Sequence, residues 1–371
     1  MGAAEQPGGR PQVTGLPWRG LVVGPPPAAD RVAYTNIWFR GHNNPRYAAL
    51  LPRLRRLDPY LVTCSERRIL RGLEFRALRA VRRVRDPATM AALNRRYRSF
   101  FTSDIAQVPY FRGAVVVDID DPLFTPEEAR LLGHPNVSAY VVTAESAARR
   151  FEGMGVRSPW HVVPQGVAFA AVDEANVARV AARRDPAQVV VGWVAAWLVT
   201  ADDRDGANPL YNVDHLLDLW DDVRARAPQA VLWLVGQASR RVEERCAGRP
   251  DIVLVGRVSQ SEALAHVANF DIALYPRRVD HAPFAVKVAE FLGMGAPIVA
   301  YELDLTRRIA DAGAGILVTT PLEFVAAVVK LVEEPGLRGQ MSERARAAGR
   351  SLDWDELAAG YERDILDRYL P

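Results

Sequence analysis

The sequence predicts an α/β chain of two domains, each a parallel sheet with crossover helices, facing each other across a cleft. Three observations predict it. Short apolar runs rich in β-branched residues alternate with helical stretches along most of the chain, which is the pattern of parallel strands joined by helices. A length of 371 residues allows two separate cores. A composition 49% hydrophobic and 25% charged is that of a globular chain, neither disordered nor fibrous.

Taken in order, residues 1–27 are rich in Gly, Pro and Ala and read as a loosely packed arm. The first domain is expected over 28–170. RVAYTNIWF, from Arg31, has the content of a strand and runs into the turn formers RGHNNPRY. AALLPRLRRL reads as a helix with Pro52 near its start, and YLVTCS as the next strand. A basic helical region follows to about Arg98. FFTSDI and GAVVVDIDDPLF are further strands, the second ending in Asp118, Asp120 and Asp121. EEARLL reads as helix, AYVVTAES as strand, the stretch to Gly153 as helix and WHVVPQGV as strand.

The second domain, expected over 171–352, repeats this rhythm more clearly. Its strands are QVVVGWV, AVLWLVG, DIVLVG, DIALYP, APIVAY and AGILV, with helices such as VDHLLDLWDDVRARA, SEALAHVANF and LTRRIADA between them. Ligands of such sheets bind at the carboxyl ends of the strands. The closing helix, 353–371, carries Leu357, Tyr361, Ile365 and Tyr369 as a docking stripe, expected to pack back on the first domain.

The stretch His281–Tyr301, HAPFAVKVAEFLGMGAPIVAY, concentrates the chemistry. Ala285, Val288, Ala289 and Leu292 fall at i, i+3, i+4 and i+7 and make one apolar stripe. Lys287 and Glu290 sit three apart on what should be an exposed flank. Pro283 marks the helix entry, and Gly293 and Gly295 weaken its far end. Free backbone N–H groups, an ammonium and a carboxylate suit a nucleotide: the first two face a diphosphate, and the third accepts from both ribose hydroxyls. The same pair also reads as an ordinary solvated ion pair. Lysine itself is rare here, with Lys287 and Lys330 the two among 47 basic side chains.

Net charge is only +3, but fourteen arginines between Arg53 and Arg98 face four carboxylates, so that stretch carries +10. It reads either as solvated helix faces or as a surface for an anionic partner, with peripheral membrane contact through 53–98 one such use. Nucleic acid is disfavoured, because few aromatics interleave with the arginines and no recognition motif accompanies them. Cys64 and Cys246 are too few for a disulfide framework or a zinc cluster, and no unbroken apolar run approaches a membrane span. A cytoplasmic protein is expected.

Several segments in order resemble glycosyltransferase family 4, a group-1 family of GT-B glycosyltransferases. HVVPQGV is similar to the family's interdomain segment, VVVGWVAAWL to the first strand of its second domain, and IVLVGRVSQSEALAHVANFDIALYP to the central strand, helix and strand. KVAEFLGMGAPIVA resembles its Lys-x-x-Glu helix and Gly-x-Pro strand, and DWDELAAGYERDIL its closing helix. The resemblance covers about residues 100–371. It implies two Rossmann-like domains and a nucleoside diphosphate sugar of UDP or GDP type as donor. Glu290 matches the ribose-binding glutamate, and Lys287 a lysine near the donor phosphates, helped by the amides of Phe284 and Ala285. Arg257, Arg277 and Arg278, at strand ends, are implied to line the base and phosphate pocket. The glycine-rich loop of the first domain would correspond to Gly41, His42, Asn43 and Asn44, with His42 reaching substrate and Asn43 the donor. Asp120 or Asp121 would orient the acceptor and take its proton; either also reads as part of a turn before Pro122.

The departures from the family are informative. Ala282 stands where members carry a second glutamate that touches the donor sugar, and Arg204 is the single basic residue in the segment where an Arg and a Lys commonly follow the first strand of the second domain. The activity implied is transfer of a sugar to a small-molecule or glycan acceptor, with retention and without a metal or other cofactor. Arginine and alanine richness resembles bacterial chains that build specialised metabolites or envelope glycans. Two other readings stay open: a nucleotide-sugar epimerase of the same architecture, and a noncatalytic binding relative. A nicotinamide enzyme is disfavoured, since no G-x-G-x-x-G follows a strand.

Overall fold

A computed structural model of the protein describes residues 30–36, 45–61, 90–120, 125–203, 212–278 and 286–371. The N-terminal arm, His42, Asn43, Cys64, most of the basic stretch, Asp121, Arg204, Phe284 and Ala285 lie outside the described residues. The chain divides into two compact units. Residues 30–36, 45–61, 90–120, 125–162 and 358–371 make the first, and 163–203, 212–278 and 286–357 the second.

The first unit holds β1 (Val32–Asn36), β2 (Leu57–Leu61), β3 (Ser99–Thr102), β4 (Ala114–Ile119), β5 (Val137–Val142) and β6 (Trp160–Val162). They form one parallel sheet in the order β2-β1-β3-β4-β5-β6. Every residue of β3 is buried, as are all but the first of β4, so both faces of these strands are covered and burial does not alternate along them. The helix expected over AALLPRLRRL instead ends at Leu50, and Leu51–Arg53 is a 3₁₀ turn containing Pro52. Proline lacks the N–H that the next helical turn would need, so it closes this helix rather than opening one.

The second unit holds β7 (Val189–Leu198), β8 (Ala230–Ala238), β9 (Ile252–Gly256), β10 (Ile272–Tyr275), β11 (Ile298–Tyr301) and β12 (Gly315–Val318), again all parallel, in the order β12-β11-β10-β7-β8-β9. The chain starts at the centre with β7, winds to one edge, returns to β10 and winds to the other. β7 and β10 are therefore neighbours whose outgoing connections leave in opposite directions. That is a topological switch point, where open parallel sheets hold ligands. Two helices, Glu174–Ala181 and Arg240–Cys246, are not legible in the apolar periodicity; Asp173 and Ser239 cap them by accepting from Ala175 and Val242 N–H groups.

The helix Val286–Met294 ends in a left-handed Gly295 (φ 77°). Gly295 N–H donates to Leu292 and Ala296 N–H to Phe291, so the last carbonyls are satisfied before the chain enters β11. Gly293 does more than weaken the far end. A Cβ on Gly349 would lie 2.5 Å from Gly293 Cα, so the helix Pro335–Arg350 crosses here backbone to backbone. Gly349→Leu is expected to push these helices apart and cost about 1–3 kcal/mol or more. A thermal melt checks it: an unchanged midpoint would mean the contact is not needed.

The closing helix Trp354–Tyr361 continues through a π turn, Glu362–Leu366. The wider turn shifts the buried face. Ala358, Tyr361, Ile365, Leu366 and Leu370 are buried, while Leu357 and Tyr369 of the expected stripe are only partly so. Within the first unit this segment also engages the start of the basic stretch. Glu362 Oε1 accepts from the Arg55 and Arg56 N–H groups, and Arg56 donates to Asp367 and to the Leu366 and Leu370 carbonyls. Arg56 is thus engaged within the first unit.

Candidate functional site

The β7/β10 switch point carries a group of side chains from four elements of the second unit. Trp193 of β7 and Tyr275, the last residue of β10, meet edge to face with centroids 5.8 Å apart. Lys287, in the first described turn of the Val286–Met294 helix, lies with Nζ 5.8 Å from the Trp193 centroid, a cation–π distance. Arg277 follows β10 by two residues and is buried at 8% exposure. Glu290 comes from the turn after Lys287 and is 7% exposed, so it does not lie on an exposed flank as the periodicity suggests. Its Oε1 accepts from Gln260 Nε2 at 2.6 Å. Gln260 opens the helix Gln260–Val267, where a capping box between Ser259 and Glu262 fixes the first turn and hence the amide.

Electrostatics follow from burial. Burial raises the Glu290 pKa above its ordinary value, with the Lys287 charge and the Gln260 hydrogen bond opposing. Burial lowers that of Lys287; Glu290 opposes this and the Arg277 charge adds to it. Glu290 and Lys287 feel each other without an ion pair between them among the described residues. A carboxylate held by one amide, and an ammonium resting on an indole, are arranged to receive a ligand's hydroxyls and negative charge.

The other expected residues are distributed differently. Arg257 is exposed just beyond β9, three residues before Gln260. The Arg278 guanidinium packs over the Tyr301 ring at 5.8 Å, on the β11 side, where His215 Nε2 and the Tyr301 hydroxyl are 2.8 Å apart. Asp120 sits partly buried immediately past β4, at the carboxyl edge of the first sheet. Gln260, Trp193 and Tyr275 escape sequence reasoning. Gln260 had one available signal, the S-x-x-E capping box that places it at a helix start.

Asp118, first of the three carboxylates at the end of β4, has a different part. It is fully buried, and its two oxygens accept from Arg46 Nε and Nη2 at 2.8 Å each. The Tyr47 and Tyr361 hydroxyls donate to it at 2.9 Å. Burial alone would lower the Arg46 pKa, but Asp118 holds it above its ordinary value. This carboxylate joins β4, the helix Pro45–Leu50 and the closing helix inside the first unit, and it is unavailable as a base.

Residues 206–334 match the family profile described as glycosyl transferases group 1. A search of curated protein sequences returns no match. Among solved structures, Anabaena Alr3699/HepE in complex with UDP is similar with a TM-score of 0.67 at 14% identity, over 91% of this chain and 100% of that one. Sucrose-phosphate synthase from Thermosynechococcus elongatus is similar with a TM-score of 0.67 at 13% identity, over 91% and 99%. WaaG, a glycosyltransferase involved in lipopolysaccharide biosynthesis, has a TM-score of 0.62 at 13% identity, over 91% and 99%. Among the described residues no helix is long and apolar enough to cross a membrane. The chain thus has a GT-B fold, within which residues 206–334 match the group 1 glycosyl transferase profile.

Proposed function

We propose that the protein transfers a sugar from a UDP- or GDP-type nucleotide sugar to a small-molecule or glycan acceptor. The transfer proceeds with retention, in specialised-metabolite or cell-envelope glycan synthesis. The observation that carries this reading is the buried Glu290, held by Gln260 one helical turn from Lys287 at the switch point of the second sheet. Its carboxylate accepts from both ribose hydroxyls, and Lys287 lies on the phosphate side.

As the sugar bond breaks, negative charge grows on the leaving nucleoside diphosphate, and a fixed cation stabilises that state more than the ground state. Lys287 supplies this charge, and the reading assigns no metal. Asp120, at the carboxyl edge of the first sheet, is assigned to orient the acceptor and take its proton; for Asp121 and His42 the same assignment rests on the resemblance. The reaction is placed in the cytoplasm, in keeping with the buried free thiol of Cys246.

HepE's complexes with UDP and with UDP-glucose make uridine the first base to try. Calorimetric titration with UDP and GDP is expected to show one of them binding at micromolar strength. Incubation of the matching nucleotide sugar with candidate acceptors should release nucleoside diphosphate only when an acceptor is present, and the anomeric proton coupling of the product reports retention. Binding of neither nucleotide would defeat the reading.

A further inference from the structure

Glu290 has one hydrogen-bond partner among the described residues, the carboxamide of Gln260, which donates through Nε2 to Oε1 at 2.6 Å. Its other oxygen, Oε2, has no described partner and is not sealed in the core. The carboxylate is thus pinned at one oxygen and open at the other. Gln260 itself is exposed, at the first position of its helix, where a long polar side chain ordinarily stays solvated. Bending such a side chain onto one acceptor costs rotamer entropy, and a charge-assisted bond of this length offsets it.

The helix start is built to hold that reach. Glu262 Oε2 closes the capping box by accepting from the Ser259 N–H at 3.1 Å and the Ser259 hydroxyl at 3.0 Å. Glu262 Oε1 accepts from Arg179 at 3.1 Å, and the Ser261 hydroxyl accepts from Asn176 Nδ2 at 3.4 Å, both from the helix Glu174–Ala181. Both chain neighbours of Gln260 are therefore tied, and its own carboxamide is left to Glu290.

We infer that Gln260 is a positioning residue for donor recognition: its amide fixes the Glu290 carboxylate, with Oε2 and the remaining lone pair of Oε1 open to the ribose hydroxyls. This rests on the donor-binding reading of the same site. An acceptor fixed before the nucleotide arrives loses less entropy on binding. The amide has a second effect. A hydrogen bond to the charged form favours that form, so Gln260 opposes the proton uptake that burial of Glu290 promotes. Lys287, on the same helix as Glu290, acts in the same direction. Arg277 acts on Lys287, and Arg346 of the Pro335–Arg350 helix lies against Gly295 at the far end. Gln260 thereby sets how far into acid the site holds a nucleotide.

The test is calorimetry of UDP and GDP across pH against the full chain, Gln260→Met, Glu290→Gln and the double variant. Methionine keeps the length of the side chain and removes the donor. For the nucleotide that binds, Gln260→Met is expected to weaken it about three- to tenfold at neutral pH. Its affinity should also begin to fall at a higher pH than the parent's, because the carboxyl then takes up a proton more readily. In the Glu290→Gln background, Gln260→Met should have a smaller effect and no pH dependence, since the charged acceptor is gone. Without ligand, Gln260→Met should melt within about 2 °C of the parent. A lowered melt with parental affinity and pH profile would make Gln260 a tie between helices and overturn the inference. Parental affinity and pH profile in Gln260→Met, with binding still lost in Glu290→Ala, overturns it too and leaves the donor reading standing. If no nucleotide binds the unaltered protein, both readings fall.

Discussion

Asp118→Ala is expected to destabilise the first unit by about 3–5 kcal/mol, the range for breaking a buried ion pair by removing one partner. The cost comes from what remains. Arg46, fully buried, would keep its charge with no carboxylate to receive it, and the Tyr47 and Tyr361 hydroxyls would lose an acceptor. Replacing both members, as in Asp118→Leu with Arg46→Met, is expected to recover much of the loss, because no buried charge is stranded. Urea denaturation followed by the signal of the first unit measures both. A midpoint for Asp118→Ala within about 0.5 kcal/mol of the parent would mean that water reaches Arg46 readily.

The same cluster sets an alkaline limit. Burial, and then the Asp118 charge, raise the Tyr361 pKa well above the ordinary 10.0. The folded state therefore holds this proton more tightly than the unfolded chain does. Its contribution is complete below pH 10 and is lost as pH rises above 10 towards the folded value. Tyr361→Phe should flatten that part of the stability profile, and a profile of unaltered slope would exclude Tyr361 as its source.

Glu290→Ala is expected to remove most nucleotide affinity. Each charge-assisted hydrogen bond contributes about 1.5–3 kcal/mol, so losing both ribose contacts should weaken binding on the order of a hundredfold or more. Glu290→Gln separates charge from shape. Because burial raises the pKa of this carboxyl above 4.5, protons compete with ribose at a higher pH than for an exposed glutamate. Affinity should thus fall as pH drops through that raised value, while Glu290→Gln binds weakly at every pH.

The stability linkage has the opposite sense. The protonated form is favoured in the fold, so this group's contribution falls as pH rises from 4.5 through the raised value, and its cost is carried at neutral pH. Glu290→Gln should remove that slope. Equal nucleotide affinity for the parent and Glu290→Ala would show that ribose is bound elsewhere.

The architecture was largely legible because it rests on local order. Apolar runs such as VVVGWV and IVLVG, spaced by helical periodicity, dictate parallel strands with crossovers whatever their neighbours are, and Lys287 and Glu290 stand out as a charged pair on an apolar helix. What each charge does was decided only in three dimensions. Asp118, Asp120 and Asp121 are equivalent on paper, yet Asp118 alone lies within β4, buried on an arginine 72 residues away and a tyrosine 243 residues away.

Glu290 is drawn from the presumed surface onto the amide of Gln260, thirty residues away, and is buried there. Arg257 and Arg277 are both arginines following strands, but one is exposed and the other buried. Sequence by itself determined which elements form and which residue types carry charge. Tertiary structure alone decided which charges are paired and which are left unpartnered, because burial and partner distance depend on contacts between residues far apart in the chain.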